Sequence, residues 1–340
     1  MNTTVRAIDV GYSNTKFSTA DNNGNITYHH FPSIAVAAGS APMMSGGGVN
    51  TRDTMIVRVN GLDYEVGNEI ERAHCGDDIK PPYDMYIHKN EYMALMLGAL
   101  SVMNTRHIDL LVIGLPVMLC NTESQTISKK MKGEHRLAEG KLVTVNNVIC
   151  VPQPMGGFAD FVKSESVGQE LVKSNELALI VDPGNGTLDW VVSQGKSVID
   201  ARCGSHEGGM KDSINGIVQQ IERRVGIRVG YKSVDQAIIN NQEVIIVRGK
   251  EISMSDFTGK QDIVANNSVD AMLRKIMSLD DIHKVIFVGG GGMHFMKAMA
   301  AQFPERVCDM HAIPDGLYAN VRGFQLGGED AMRGVRGVSA

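Results

Sequence analysis

The chain has 340 residues, of which 43% are hydrophobic and 21% charged. That length exceeds what one core comfortably serves and predicts two domains, and the composition is that of an ordinary soluble globular protein rather than a disordered one. A formal net charge of −5 excludes a global field that would draw the chain onto DNA or an anionic membrane, so no direct nucleic-acid partner is expected.

Met1 leads directly into Val5-Arg6-Ala7-Ile8-Asp9, with neither the basic nor the apolar stretch of a signal peptide. Residues 4–31 predict an antiparallel meander: a strand over Val5-Ala7-Ile8, the turn Asp9-Val10-Gly11, a strand over 15–19, the turn 21–25, and a strand over 26–31. Residues 39–53, with Gly46-Gly47-Gly48 at their centre, predict a surface loop, and 55–66 a hairpin. Apolar spacing predicts a helix over 91–103 and a buried strand over 110–115, so the class is α/β. The apolar run Ile108–Leu119 is broken by Asp109, Gly114 and Pro116 and is too short to cross a bilayer, so no membrane partner is expected. A helix and turn follow over 124–140, strands over 142–151, and one helix over 158–174.

At Leu177 the opening pattern returns. Ala178-Leu179-Ile180-Val181-Asp182-Pro183-Gly184 repeats Arg6-Ala7-Ile8-Asp9-Val10-Gly11, and each is followed by a Thr-bearing strand and a Gly-containing turn. Helices are predicted over 209–226 and 264–279, with a strand over 284–288; the whole reads as an internal duplication half a chain long. The five cysteines, Cys75, Cys120, Cys150, Cys203 and Cys308, form no Cys-x-x-Cys pair, which suggests reducing cytoplasm without zinc or a disulfide framework. His88, His206 and His294 lack partners at ligand spacing and read as surface or satisfied interior histidines.

Three segments carry chemistry. In Asp9-Val10-Gly11-Tyr12-Ser13-Asn14-Thr15-Lys16 a carboxylate ends a strand, and a turn of small residues follows whose N–H groups, with Ser13, Asn14 and Lys16, can cradle a phosphate. Such a turn can equally be a plain hairpin. The second hairpin, Asp182-Pro183-Gly184-Asn185-Gly186-Thr187-Leu188-Asp189, suggests two cradles facing one ligand across a cleft, with Asp9 and Asp182 meeting a Mg²⁺ through waters. The third is a buried strand followed by Gly289-Gly290-Gly291-Gly292, where backbone can approach a flat nucleoside closely. No P-loop and no Gly-x-Gly-x-x-Gly opening a helix is present, which sets aside those nucleotide folds.

In order and spacing these segments resemble the actin, heat-shock chaperone and sugar kinase superfamily, and within it the ParM/StbA group of bacterial plasmid-segregation actins. Val112–Pro116 is similar to that group's strand ending in Leu-Pro, Val151-Pro152-Gln153-Pro154 to its first interdomain connection, and Asp315–Asn320 to its second. The resemblance implies two duplicated ribonuclease H-like domains with a nucleotide cleft between them, residues 1–160 plus 318–340 forming one and 161–317 the other. It implies ATP or GTP with Mg²⁺ as cofactors, Gln153 orienting the attacking water, and Asp182 as the second catalytic residue. It further implies a cytoplasmic ATPase that polymerises head to tail into filaments for plasmid partition, working through a small DNA-bound adaptor of the ParR kind. A non-polymerising ATP-gated binding protein and a small-molecule kinase are the alternatives on the same fold. One departure stands out: Pro183 brings no N–H, and Asn185 occupies a position where Gly is common, within reach of Asn because that residue tolerates a left-handed backbone.

Overall fold

The computed structural model describes residues 3–21, 23–39, 52–73 and 83–338. Most of the glycine-rich stretch, residues 40–51, lies outside them, as do Asn22 of the first meander turn and Cys75. The chain packs as two compact units, Met1–Leu115 with Leu119–Val151 and Phe324–Ala340 in one, and Pro116–Met118 with Pro152–Gly323 in the other. Apart from Pro116–Met118, the chain changes unit at 151/152 and 323/324, whereas the resemblance implied 160/161 and 317/318.

In the first unit β1 (Val5–Val10), β2 (Asn14–Ala20) and β3 (Ile26–Pro32) form the meander. β4 (Val36–Ala37), β5 (Thr54–Val59) and β6 (Leu62–Gly67) make a small antiparallel sheet in the order β4-β6-β5. After α1 (Tyr83–Tyr86) and α2 (Asn90–Val102) come β7 (His107–Leu115), α3 (Val117–Met131), β8 (Gly133–Arg136) and β9 (Leu142–Pro152). The main sheet runs β3-β2-β1-β7-β9-β8, with β7 parallel to β1. Side chains alternate across it: Ile8, Val10, Leu111, Ile113 and Leu115 join a core with Tyr92, Leu95, Met96 and Leu100 of α2. Burying each such large apolar side chain stabilises the unit by about 1.5–3 kcal/mol. The α3 helix starts at Val117, seven residues before the expected start, because Pro116 suits the residue just before a helix; β8 replaces part of the expected turn.

The second unit repeats the plan. α4 (Gln153–Ser164) and α5 (Ser166–Ser174) stand where one helix was expected; Glu165, with φ −118° and ψ 133°, breaks the run. Then follow β10 (Leu177–Pro183), β11 (Thr187–Gln194), β12 (Ser197–Val198), β13 (Gly204–Glu207), α6 (Met210–Val225) and α7 (Tyr231–Ile239). The remaining elements are β14 (Val244–Val247), β15 (Lys250–Ser253), α8 (Ile263–Ile276), β16 (Lys284–Phe287), α9 (Gly292–Gln302) and β17 (Met310–Ala312), followed by α10 (Ala319–Val338), which belongs to this unit up to Gly323 and to the first from Phe324. The sheet order is β12-β11-β10-β16-β17, with β13 also on β11. The β10–β11 hairpin is antiparallel and β16 joins β10 in parallel, as β1–β2 and β7 do in the first unit. Leu179, Val181, Val285 and Phe287 face one core, while Ala178, Ile180, Ile286 and Val288 face another with Phe158 and Phe161 of α4. This packing is why α4 goes with the second unit. No helix among the described residues is long and apolar enough to cross a membrane.

Candidate functional site

In the first unit β1 delivers Asp9 to the end of the sheet, 1% exposed, directly across from Lys16 on β2. Lys16 Nζ donates to Asp9 Oδ2 at 3.0 Å, which offsets the cost of burying the carboxylate. Gly11 N–H closes the turn on Asn14 O at 3.1 Å, and Ser33 N–H donates to Ser13 O at 2.8 Å, pinning the turn to the end of β3. Ser13 itself is exposed, and Tyr12 stacks on Tyr86 with ring centroids 6.0 Å apart. On the parallel neighbour, Gly114 pairs with Asp9, and a Cβ there would lie 3.2 Å from Asp9 Oδ1 and 2.5 Å from the Phe324 ring.

The second hairpin places its two acids differently. Asp189 is 2% exposed and is consumed by the fold: Oδ1 accepts from Val117 N–H at 3.1 Å and from the Ser205 hydroxyl, and Oδ2 accepts from Thr187 Oγ1 at 2.6 Å. Asp182, opposite it in register and 6% exposed, accepts on Oδ2 from Asn320 Nδ2 at 2.6 Å. The turn's carbonyls point at the start of α6: Gly184 O accepts from Met210 N–H and Asn185 O from Lys211 N–H, both at 2.9 Å, and Gly186 O accepts from Gly208 and Gly209 N–H at 3.3 Å. An anion-binding turn needs its carbonyl dipoles occupied elsewhere, as here. The helix comes this close because Gly209 has no Cβ; one there would lie 2.7 Å from Thr187 N. Asn185 keeps a negative φ, so the left-handed backbone allowed for it from sequence is not used.

The glycine loop stands against this hairpin. Gly289 has φ +73°, and a Cβ on it would overlap Asp182 Oδ1; one on Gly291 would lie 2.7 Å from Pro183 O. Gly292 N–H returns to Gly289 O at 3.3 Å as α9 begins. At Gly290 a Cβ would meet nothing within 4 Å, so internal packing does not account for glycine there. Asp9 and Asp182 therefore share part of a local design: each stands near the end of a strand against a glycine, Gly114 inside the parallel strand β7 for Asp9 and Gly289, two residues past the end of the parallel strand β16, for Asp182.

Gln153 is the first residue of α4, 9% exposed, with Pro152 as the extended residue before the helix. Pro152 and Pro154 flank the first residue of a helix, whose opening turn tolerates proline. One turn on, Gly157 N–H donates to Asn320 Oδ1 at 3.1 Å. The segment Asp315–Asn320 lies close by: a Cβ on Gly316 would overlap Gly289 O, and Arg322 braces both Asp315 Oδ2 at 2.8 Å and the Asp160 carboxylate at 2.8–3.1 Å. Burial opposes the charge on Arg322, but the ion pairs with Asp160 and Asp315 outweigh it and hold its pKa above the usual value. The second unit thus gathers Asp182, the glycine loop, the start of α4 and Asn320. Asn320 and Gly114 lie in segments singled out from sequence, but neither they nor the supporting Gly209 were given a site role there, because each acts through a contact between segments distant in the chain.

Among the histidines, His294 is 4% exposed, with Nε2 at 2.7 Å from Asp262 Oδ2 and 2.8 Å from Ser213 Oγ. Both contacts use one ring nitrogen, so this is a buried brace and not a proton relay from a nucleophile. His88 is exposed beside Glu123, and His206 is half-buried on β13. Among the described residues no three His, Cys, Asp or Glu side chains gather to hold a metal ion by themselves.

Residues 7–156 match the family of actin like proteins, N terminal domain, and residues 180–301 match that of the archaeal actin homologue MreB-like, C-terminal. The chain is similar in fold to the archaeal actin homologue Ta0583 in complex with ADP, with a TM-score of 0.70 and 19% identity over 96% of this chain and 99% of that one. It is also similar to the actin-like protein Alp7A, at TM-score 0.73 and 13% identity over 100% and 99% of the two chains. A 15-stranded ParM filament from Clostridium botulinum matches at TM-score 0.63 and 17% identity, over 97% and 100%. No protein of curated function matches the sequence significantly.

Proposed function

We propose that this chain, which belongs to the actin-like proteins, is an ATPase that polymerises with bound ATP, releases phosphate and then disassembles, and that it serves plasmid DNA partition. The observation that carries the reading is the repeated carboxylate turn, with Asp9 beside Gly114 in one unit and Asp182 beside Gly289 in the other. The Asp9–Lys16 turn (Gly11, Tyr12, Ser13, Asn14) and the Asp182–Asp189 turn (Gly184, Asn185, Gly186, Thr187) take the phosphates of ATP or GTP. The loop Gly289–Gly292, with open room at Gly290, takes the nucleoside.

Mg²⁺ suits the chemistry of these acids taken one by one: each is a buried carboxylate, and among the described residues no three His, Cys, Asp or Glu side chains form a protein cage, so the ion would keep several waters and phosphate oxygens as ligands. Asp9 and Asp182 would hold it through water, and when bound it neutralises charge on the phosphates. Lys16 adds a cationic donor beside Asp9. In hydrolysis the water oxygen bonds to the γ-phosphorus as the bond to the β–γ bridging oxygen breaks, and the water's proton passes to phosphate or solvent. Gln153 orients that water by hydrogen bonding; its neutral amide takes no proton.

The ParM filament of similar fold supports self-association by a heterologous, open-ended contact. A net charge of −5 suits a partner role for a small DNA-bound adaptor of the ParR kind over direct DNA contact. The reading is tested by phosphate release from Mg-ATP in the wild type, Asp182→Ala and Gln153→Ala. Release by the wild type that both variants lose supports it; equal release by all three removes it.

A further inference from the structure

The two carboxylate turns differ in what holds the acid. Asp9 is held by a lysine of its own hairpin, whereas Asp182 is held by an asparagine 138 residues away in the chain. We propose that Asn320 is a positioning residue that fixes the Asp182 carboxylate and couples it to the start of the Gln153 helix, so that the two act as one body. This rests on the nucleotide reading above.

Asn320 is 3% exposed and uses both ends of its amide: Nδ2 donates to Asp182 Oδ2 at 2.6 Å, and Oδ1 accepts from Gly157 N–H at 3.1 Å. The partners fix the orientation of the amide, because the reverse would set N–H against N–H and oxygen against carboxylate. Few side chains can do this. Asp accepts at both ends and would put a second anion against Asp182, Gln is a methylene too long for a buried slot, and Ser reaches one partner at most. With Oδ2 held by Asn320, Asp182 Oδ1 lies over Gly289, where a Cβ would overlap it. The carboxylate plane is therefore set from both sides.

The backbone around Asn320 is built to hold it there. A Cβ on Gly323 would overlap Gly156 O, and one on Gly157 would overlap Val288, so α10 and the β16 end both meet α4 at contact distance. Arg322 locks the same crossing through Asp160 and Asp315. A shift of α4 that carried Gln153 away would have to break the Gly157 contact, and through Asn320 it would release Asp182. In a hydrolase whose Asp182 and Gln153 side chains must act on one nucleotide, that link keeps the two in register.

The test uses the full chain as wild type, Asn320→Ala, Asn320→Asp and the double variant Asp182→Asn/Asn320→Asp, which restores the hydrogen bond with donor and acceptor exchanged. Three quantities are read: the thermal unfolding midpoint without nucleotide, the affinity for ADP with and without Mg²⁺, and phosphate release at saturating ATP. Expected for both single variants are Mg-free ADP affinity within about 3-fold of wild type, at least about a 10-fold loss of the gain in affinity that Mg²⁺ gives, and at least about a 10-fold slower release. The double variant recovers the midpoint of the wild type but not the gain from Mg²⁺. If Asn320→Ala is too unstable to assay, Asn320→Asp, equal in size, decides alone. Variants that keep both the gain from Mg²⁺ and the release rate overturn the inference. A double variant that recovers release together with the midpoint shows that the Asp182 carboxylate is dispensable, and so overturns the nucleotide reading together with this inference. A wild type that binds no nucleotide overturns the nucleotide reading as well, whereas an active wild type with unaffected variants overturns this inference alone.

Discussion

Asn320 Nδ2 donates to Asp182 Oδ2 at 2.6 Å, joining the first turn of α10 to the end of β10. Removing the acceptor leaves that amide buried without its partner, so Asp182→Ala carries a stability cost of about 1–3 kcal/mol besides any loss of function. The larger effect expected is on ligand: roughly 100-fold weaker binding of Mg-nucleotide, about 2.7 kcal/mol. Titration with a fluorescent nucleotide analogue checks it, and a loss below 3-fold at matched folding would speak against Asp182 as a ligand-holding group.

Gln153, by contrast, touches the reaction only through water in the proposed scheme. Gln153→Ala is expected to slow phosphate release by about 100-fold, the range for a positioned proton or water contact, with nucleotide affinity nearly unchanged. Equilibrium titration and single-turnover release on the same preparation separate the two effects.

The glycine loop offers a matched pair. Gly289→Ala puts a Cβ into Asp182 Oδ1 at a backbone φ of +73° and should destabilise the second unit by more than about 2 kcal/mol in urea unfolding. Gly290→Ala meets no protein atom within 4 Å and should cost less than about 1 kcal/mol while still weakening nucleotide binding. Equal stability of the two variants would contradict the packing described.

The buried brace of α6, α8 and α9 predicts a pH effect. Burial alone would raise the Asp262 pKa, but the hydrogen bond and charge of His294, with bonds from Ala265 N–H and Ser213, outweigh it and leave the carboxyl below its ordinary value. A folded-state pKa below the unfolded one gives stability that is complete above the ordinary carboxylate range and is lost as pH falls through the folded value. The stability gap between wild type and Asp262→Asn should therefore be widest near neutrality and close below about pH 4. Urea unfolding across pH reads it; a gap that stays constant would show that the brace does not depend on the ionised acid.

Much of this fold was legible from pattern. The β1–β2 and β10–β11 hairpins announce themselves by a buried apolar run ending in Asp-x-Gly, and β16 by four apolar residues before glycines. Other features were hidden for identifiable reasons. The start of α4 sits between two prolines and precedes two glycines, so the helix was expected only from residue 158, although proline is well tolerated in a first helical turn. The strand β8, Gly-Glu-His-Arg, is a polar edge strand without apolar alternation. Glu165, which divides α4 from α5, is neither Gly nor Pro and gave no breaking signal. In the site, Asp9, Asp182 and Gly289 could be picked out because a turn imposes local rules. Asn320 could not, since its role consists of contacts with residues 138 and 163 positions away.

The central claim is tested most directly by high-speed pelleting of the purified chain with Mg-ATP, Mg-ADP and no nucleotide, with phosphate release followed in the same tubes. A pellet that forms only with Mg-ATP and dissolves as phosphate appears is the predicted result. Nucleotide turnover with no pellet under any condition would contradict filament formation and leave an ATP-driven protein that works without polymerising.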